Sequence, residues 1–294
     1  MANKMTMLTT VLSITMMLIA CNENTSSLSN NPTPSTQQTT SNTDAKVKFS
    51  TVPFKYELPQ AMKDACDFDK NKNEEYSPCT QIEVELVKIE PAWIEQIVNK
   101  AITNDDGSKL IKFKKTIDEF VNENLEFINE MKEIAKENGE EAISGMGYVW
   151  HTKPEMLPTF NHLTQIAIYN DMYMGGAHGV QDVNYLIFDM DLQSQIQLHD
   201  VIRNEKTSEF HELYHRAFKD YLAKELEITT EEDIQEYEDM WSFKLAENFY
   251  FNKEGLVLVY SPYEMGAYAQ GFIELTVPYD KLTPILKESY LPKS

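Results

Sequence analysis

Positive charge is what this chain has least of. Its 294 residues carry 26 Lys and Arg against 47 Asp and Glu, a formal net charge of −21 at pH 7. So acidic a surface repels phosphate backbones and anionic headgroups, which excludes nucleic acid as a partner. It would attract a basic one. Catalytic signatures are also missing: there is no Gly-x-Ser-x-Gly elbow and no phosphate-binding loop. No glycosidase-type pair stands out among the acidic residues, because such pairs meet only in the fold. No internal repeat is apparent.

Cysteine is scarce, with three in all, and each has a reading. Met1–Ala20 is a short secretory segment, with Lys4 as its basic start and Leu8–Ala20 as an apolar run too short to span a membrane as a resident helix. It ends in Leu18-Ile19-Ala20-Cys21, which resembles a bacterial lipobox. That resemblance implies diacylation of Cys21 and an anchor in the bilayer as the sole membrane contact. Asn22 in place of Asp implies the outer membrane of a Gram-negative cell and a periplasmic location. Losing Lys4 with the signal takes the net charge from −21 to −22. Residues 21–45 are almost wholly Asn, Ser, Thr, Gln and Pro, and read as a flexible tether. Cys66 and Cys79 remain, an even pair in an oxidising compartment, and are expected to form a disulfide. Their spacing, with no His nearby, makes a poor zinc site.

The rest is apolar pattern. Gln81–Ile89 alternates, with Ile82, Val84, Leu86 and Lys88 facing one way, and predicts a strand. Pro91 opens a helix over Ala92–Ile102. Ser108 is placed to cap a second helix, Lys109–Asn138, which Gly139 ends. Its stripe of Leu110, Phe113, Ile117, Phe120, Phe127, Met131 and Ile134 predicts core packing. Ser144–Thr152, Leu163–Tyr169 and Val183–Met190 read as strands, and Lys206–Leu226 and Glu231–Trp241 as helices. Leu256–Tyr260 and Phe272–Val277 read as two buried strands around a loop. The expected fold class is α+β, antiparallel sheets with packed helices, in two sequential subdomains at 46–165 and 166–290.

Two turns carry the functional interest. The loop between the last two strands is crowded by Tyr263, Glu264, Tyr268 and Gln270, where an ordinary connection would hold small polar residues. Tyrosine offers large contact area at low entropic cost, as binding loops require; the plain alternative is a corner plugged by aromatic rings. The second turn, Tyr173–Gly179, sets Gly175, Gly176 and Gly179 around His178. Such close backbone can present N–H groups or an imidazole to a ligand, or can simply be a turn whose His caps a carbonyl. His178 with Glu264 or Asp171 is conceivable as a catalytic pair, but no nucleophile accompanies it.

The order of these motifs carries a resemblance. A YMGGAHG turn, a strand into FDMD, an LHDVI segment, a helix, then GLVLVYSPYEMGAYAQG and a closing VPY are similar to the RsiV/PdaC-type extracellular module. Its N-terminal half is the domain of unknown function DUF4163, and its C-terminal half is DUF3298. The likeness covers most of residues 47–282. The family's loop reads close to PYE-x-x-PYA-x-G, and Ala267 stands where its second Pro would be, which predicts a looser loop. One member of that family is an anti-sigma factor whose extracellular part binds lysozyme; others carry the module beside a peptidoglycan deacetylase. This chain has neither a sigma-binding segment nor a deacetylase domain. The resemblance therefore implies a non-catalytic binding protein with lysozyme or cell-wall glycan as ligand, no cofactor, and Tyr263, Glu264 and Tyr268 at the binding edge. Two alternatives stand beside it. His211-Glu212-Leu213-Tyr214-His215 matches the HExxH zinc-hydrolase pattern on a helix, with charged neighbours and no third ligand in sequence. A purely structural envelope lipoprotein is the other.

Overall fold

A computed structural model of the chain describes residues 47–71, 77–104, 110–139 and 147–293. The signal segment, Cys21, the tether and Ser108 lie outside the described residues. Residues 45–294 form one compact unit.

A six-stranded sheet occupies its first two-thirds. The strands are β1 (Lys48–Pro53), β2 (Gln81–Glu90), β3 (Val149–Met156), β4 (Leu163–Tyr173), β5 (Val180–Asp189) and β6 (Ser194–Ile196), and they neighbour one another in chain order. All pairs are antiparallel except β2–β3. A parallel pair needs a long crossover, and this one contains α3 (Ala92–Thr103) and α4 (Ile111–Asn138). Two short helices, α1 (Gln60–Ala65) and α2 (Phe68–Asn71), precede β2. There Cys66 and Cys79 are joined in the expected disulfide.

Both faces of this sheet are used. Ile166, Ile168, Leu186 and Phe188 pack under Ile94 and Val98 of α3. On the other face Ala167 and Val183 meet Val257 and Val259 of a second sheet. That sheet has three strands, β7 (Phe249–Phe251), β8 (Gly255–Tyr260) and β9 (Ile273–Pro278), all antiparallel. Its far face, Leu256, Leu258, Leu275 and Val277, packs on Phe210, Tyr214, Phe218 and Leu222. These lie four apart along one side of α6 (Thr207–Glu225). A one-turn helix α5 (Leu198–Val201) precedes α6, α7 (Glu231–Met240) follows it, and α8 (Tyr279–Leu282) continues from β9. The layers run helix, sheet, sheet, helix, so β8 is buried at all six positions.

The α+β class is as expected. The division drawn at 165/166 falls inside β4, which pairs along its length with β3 and β5, so the backbone passes that point without a break.

Two expectations are corrected. In β2 the alternation changes phase: Val84 and Val87 are both buried, while Lys88 is exposed. Val84 is the last residue paired with β3, at Thr152. Beyond it the strand turns its apolar side to α3, where Asn99 clasps the backbone of Val87 through both its amide groups. In α4 only the first half of the stripe is core. Phe113, Ile117 and Phe120 are buried, but Phe127 is 36% and Ile134 42% exposed. At ~1.5 Å per residue this helix is about 42 Å long, and its buried positions are concentrated in its first half.

Side-chain amides lock the two sheets together. Gln165 of β4 is fully buried and pairs with both the N–H and the C=O of Phe251 in β7. Asn248, just before β7, donates to Val183 O and accepts from Tyr185 N in β5. Each amide completes hydrogen bonds that the strands leave open, so the buried polar backbone stays satisfied. These clasps hold the end of β4–β5 opposite the end of β8–β9.

Candidate functional site

The turn joining β4 to β5 spans residues 174–179. Gly175 and Gly176 take φ of +88° and +90°, where any L side chain is strained. Gly179 has a different reason: a Cβ there would lie 2.7 Å from Met172 O. The Tyr173 hydroxyl donates to Gly176 O at 3.0 Å and closes the turn. His178 is left outside, exposed.

The loop between β8 and β9 begins with a tight turn, Glu264 N donating to Ser261 O at 3.0 Å. Pro262 occupies the second position, which suits its fixed φ. Tyr263 occupies the third at φ +70°, a place that such turns usually give to glycine. The residue is 54% exposed. Glu264 points back, accepting from Ser261 N at 2.8 Å and pairing with Lys244 at 3.3 Å. Met265 is fully buried and plugs the loop into the core. Tyr237 of α7 holds it there, its hydroxyl bonded to Met265 O and Gln270 Oε1. Burial raises the Tyr237 phenol above its ordinary pKa, so it stays a neutral donor.

The two turns meet. His178 Nε2 lies 3.1 Å from the Tyr263 hydroxyl, and the imidazole stacks on Tyr268 with centroids 3.8 Å apart. Tyr263 and Tyr268 are 5.7 Å apart, and Trp241 stacks on Tyr263 at 6.4 Å. His178 Nδ1 is 2.9 Å from Gly179 O. A carbonyl only accepts, so Nδ1 carries the proton; in the neutral ring Nε2 then accepts from Tyr263. Residues 85 apart in sequence thus build one solvent-facing aromatic cluster.

Each candidate can now be placed. His178, Tyr263 and Tyr268 form the cluster. Tyr173, Gly175 and Gly176 shape one turn, and Glu264 and Gln270 brace the other. The pairing of His178 with Glu264 or Asp171 is not found: both imidazole nitrogens and the Glu264 carboxylate have the other partners described above. Trp241 was not singled out in the sequence, where it is only the last residue of the helix expected over Glu231–Trp241; in the structure it follows α7 directly. Exposed Met174, Val180 and Met240 flank the same two elements.

The HExxH pair is elsewhere. His215 Nε2 is engaged by Glu238 at 2.5 Å, its ring stacks on Phe243, and His211 meets the same phenyl edge-on. Among the described residues no three His, Cys, Asp or Glu side chains are grouped to hold a metal ion.

Fold and cluster together define a two-sheet α+β unit displaying an aromatic surface on paired loops. Residues 191–280 match the family described as "Protein of unknown function (DUF3298)". The match takes in the Tyr263–Gln270 loop and leaves the His178 turn outside it. The fold is similar to the crystal structure of a DUF3298 family protein from Pseudomonas aeruginosa PAO1: TM-score 0.62, 16% identity, 85% of this chain and 99% of that one covered. It is also similar to a member of the same family from Bacteroides fragilis NCTC 9343, with TM-score 0.59, 17% identity, and 83% and 94% covered. No curated protein matches the chain.

Proposed function

We propose that this chain is a lipid-anchored envelope protein that acts by binding, with the His178–Tyr263–Tyr268 cluster as its contact surface and lysozyme as the partner class, cell-wall glycan being the other candidate ligand. One observation carries the reading: two distant turns are folded back to put three rings in contact in solvent. Aromatic rings left outside the core are more costly in water than polar residues would be, and they concentrate where proteins meet partners. Tyr263 adds a second cost, a positive φ that a bulky residue avoids. The net charge of −21 favours a basic partner, as lysozyme is. The Cys66–Cys79 disulfide supports an oxidising compartment, consistent with the reading of Cys21 as a lipid anchor at the inner face of the outer membrane. The RsiV/PdaC-type likeness, with residues 46–165 as its DUF4163-like half, belongs to the same proposal.

Calorimetric titration of the full chain with lysozyme, and in parallel co-sedimentation with purified cell-wall sacculi, tests it. Binding to lysozyme that Tyr263→Ala weakens is the expected result. Silence with both ligands at tens of micromolar removes the proposal.

A further inference from the structure

An open cavity of about 230 Å³ lies next to the aromatic cluster. It sits on the face of the large sheet that the small sheet stops short of covering. His151 is directly opposite Asp171, and Lys153 opposite Tyr169, so these four side chains share that face. Phe272, at the foot of β9, closes one side, and Asp182 stands on the rim. The link to the cluster is direct. Asp182 accepts from the Ser261 hydroxyl at 2.8 Å, at the start of the Tyr263 turn, and Asp171 Oδ1 lies against Gly179, beside His178.

The charges around the cavity are not balanced internally. Lys153 is bonded to Glu155 at 2.6 Å. His151 Nε2 faces Glu83 at 3.7 Å. The Asp171 carboxylate has no hydrogen-bond or ion-pair partner among the described residues, and Asp182 has only a neutral hydroxyl. Two carboxylates therefore remain without a cation, beside the rings of Tyr169 and Phe272. An arginine or lysine side chain meets both features: its stem lies along aromatic walls and its head pairs with carboxylate.

We propose that this cavity is a subsite for a cationic side chain, an arginine or lysine presented by the protein partner that docks on the His178–Tyr263–Tyr268 cluster. The proposal rests on the binding reading above and adds where the partner's positive charge is received. Asp171 is the principal acceptor and Asp182 the second.

The test separates the two ideas. N-acetyl-arginine amide is titrated into the full chain and followed by NMR at Gly179 and Phe272, against the isosteric, uncharged N-acetyl-citrulline amide. The arginine probe should bind at least about tenfold more tightly than the citrulline probe. That preference should vanish in Asp171→Asn and persist in Tyr263→Ala. Lysozyme affinity should fall in both variants. Equal response to the two probes, or an arginine preference unchanged in Asp171→Asn, overturns the subsite. Lysozyme binding that survives Tyr263→Ala, with the arginine preference intact, instead overturns the cluster as the docking surface.

Discussion

Tyr263 is the residue where local physics and function pull apart. Its φ of +70° costs on the order of 1 kcal/mol in a residue with a Cβ. The turn that contains it would be better served by glycine. Tyr263→Gly should therefore leave the protein as stable or raise its stability by up to about 1 kcal/mol, read from chemical denaturation, while weakening lysozyme binding. A clear loss of stability would show that the ring is held for packing rather than for contact. His178 is legible only in part from the sequence. The glycines around it announce a special backbone, but its partner is 85 residues away, and no local pattern records that distance. Trp241 was hidden for a related reason. The sequence places it only as the last residue of an expected helix, and the fold alone shows it leaning on Tyr263.

At the scale of elements the sequence was most informative where periodicity runs long. The β4, β5, β8 and β9 strands and the α3, α6 and α7 helices were expected from alternation or helical spacing, to within a few residues. β6 and β7, of three residues each, are too short to show a period, and β1 is exposed at nearly every position, so no face is marked. At Ala267, where the resembling family's loop has Pro, the backbone has φ −64°, the value proline imposes. Among the described residues the Ala267 N–H makes no hydrogen bond. Ala267→Pro should stabilise the protein by about 0.4–1 kcal/mol by restricting the unfolded chain. A drop in Tm would mean that the loop needs the freedom that alanine gives it. The Cys66–Cys79 bridge acts on the unfolded chain in the same way. For its sequence separation of 13, chain entropy gives about 3 kcal/mol. Replacing both cysteines by Ser should lower stability by that order in urea unfolding; no change would show that the loop is ordered without the bond.

At the scale of the whole molecule the site exists because the two sheets are held in one alignment. Hydrophobic contact between Ala167, Val183, Val257 and Val259 is strong but not directional. Direction comes from Gln165 and Asn248, which bond backbone across the gap. Asn248→Ala strands the Tyr185 N–H and the Val183 carbonyl and should cost about 1–3 kcal/mol. It should also loosen the His178–Tyr263 contact, seen as a change in Trp241 fluorescence. Loss of stability without that spectral change would mean that the sheets are aligned by packing alone. None of this was readable in the sequence, where a polar amide at the edge of a strand looks like any loop residue.

The most direct test of the central claim is hydrogen–deuterium exchange of the full chain with and without saturating lysozyme. Two turns acting as one surface predict slower exchange in both 173–182 and 261–272, with α4 unchanged. Protection confined to one turn, or centred on α4 or the HExxH helix, would contradict it.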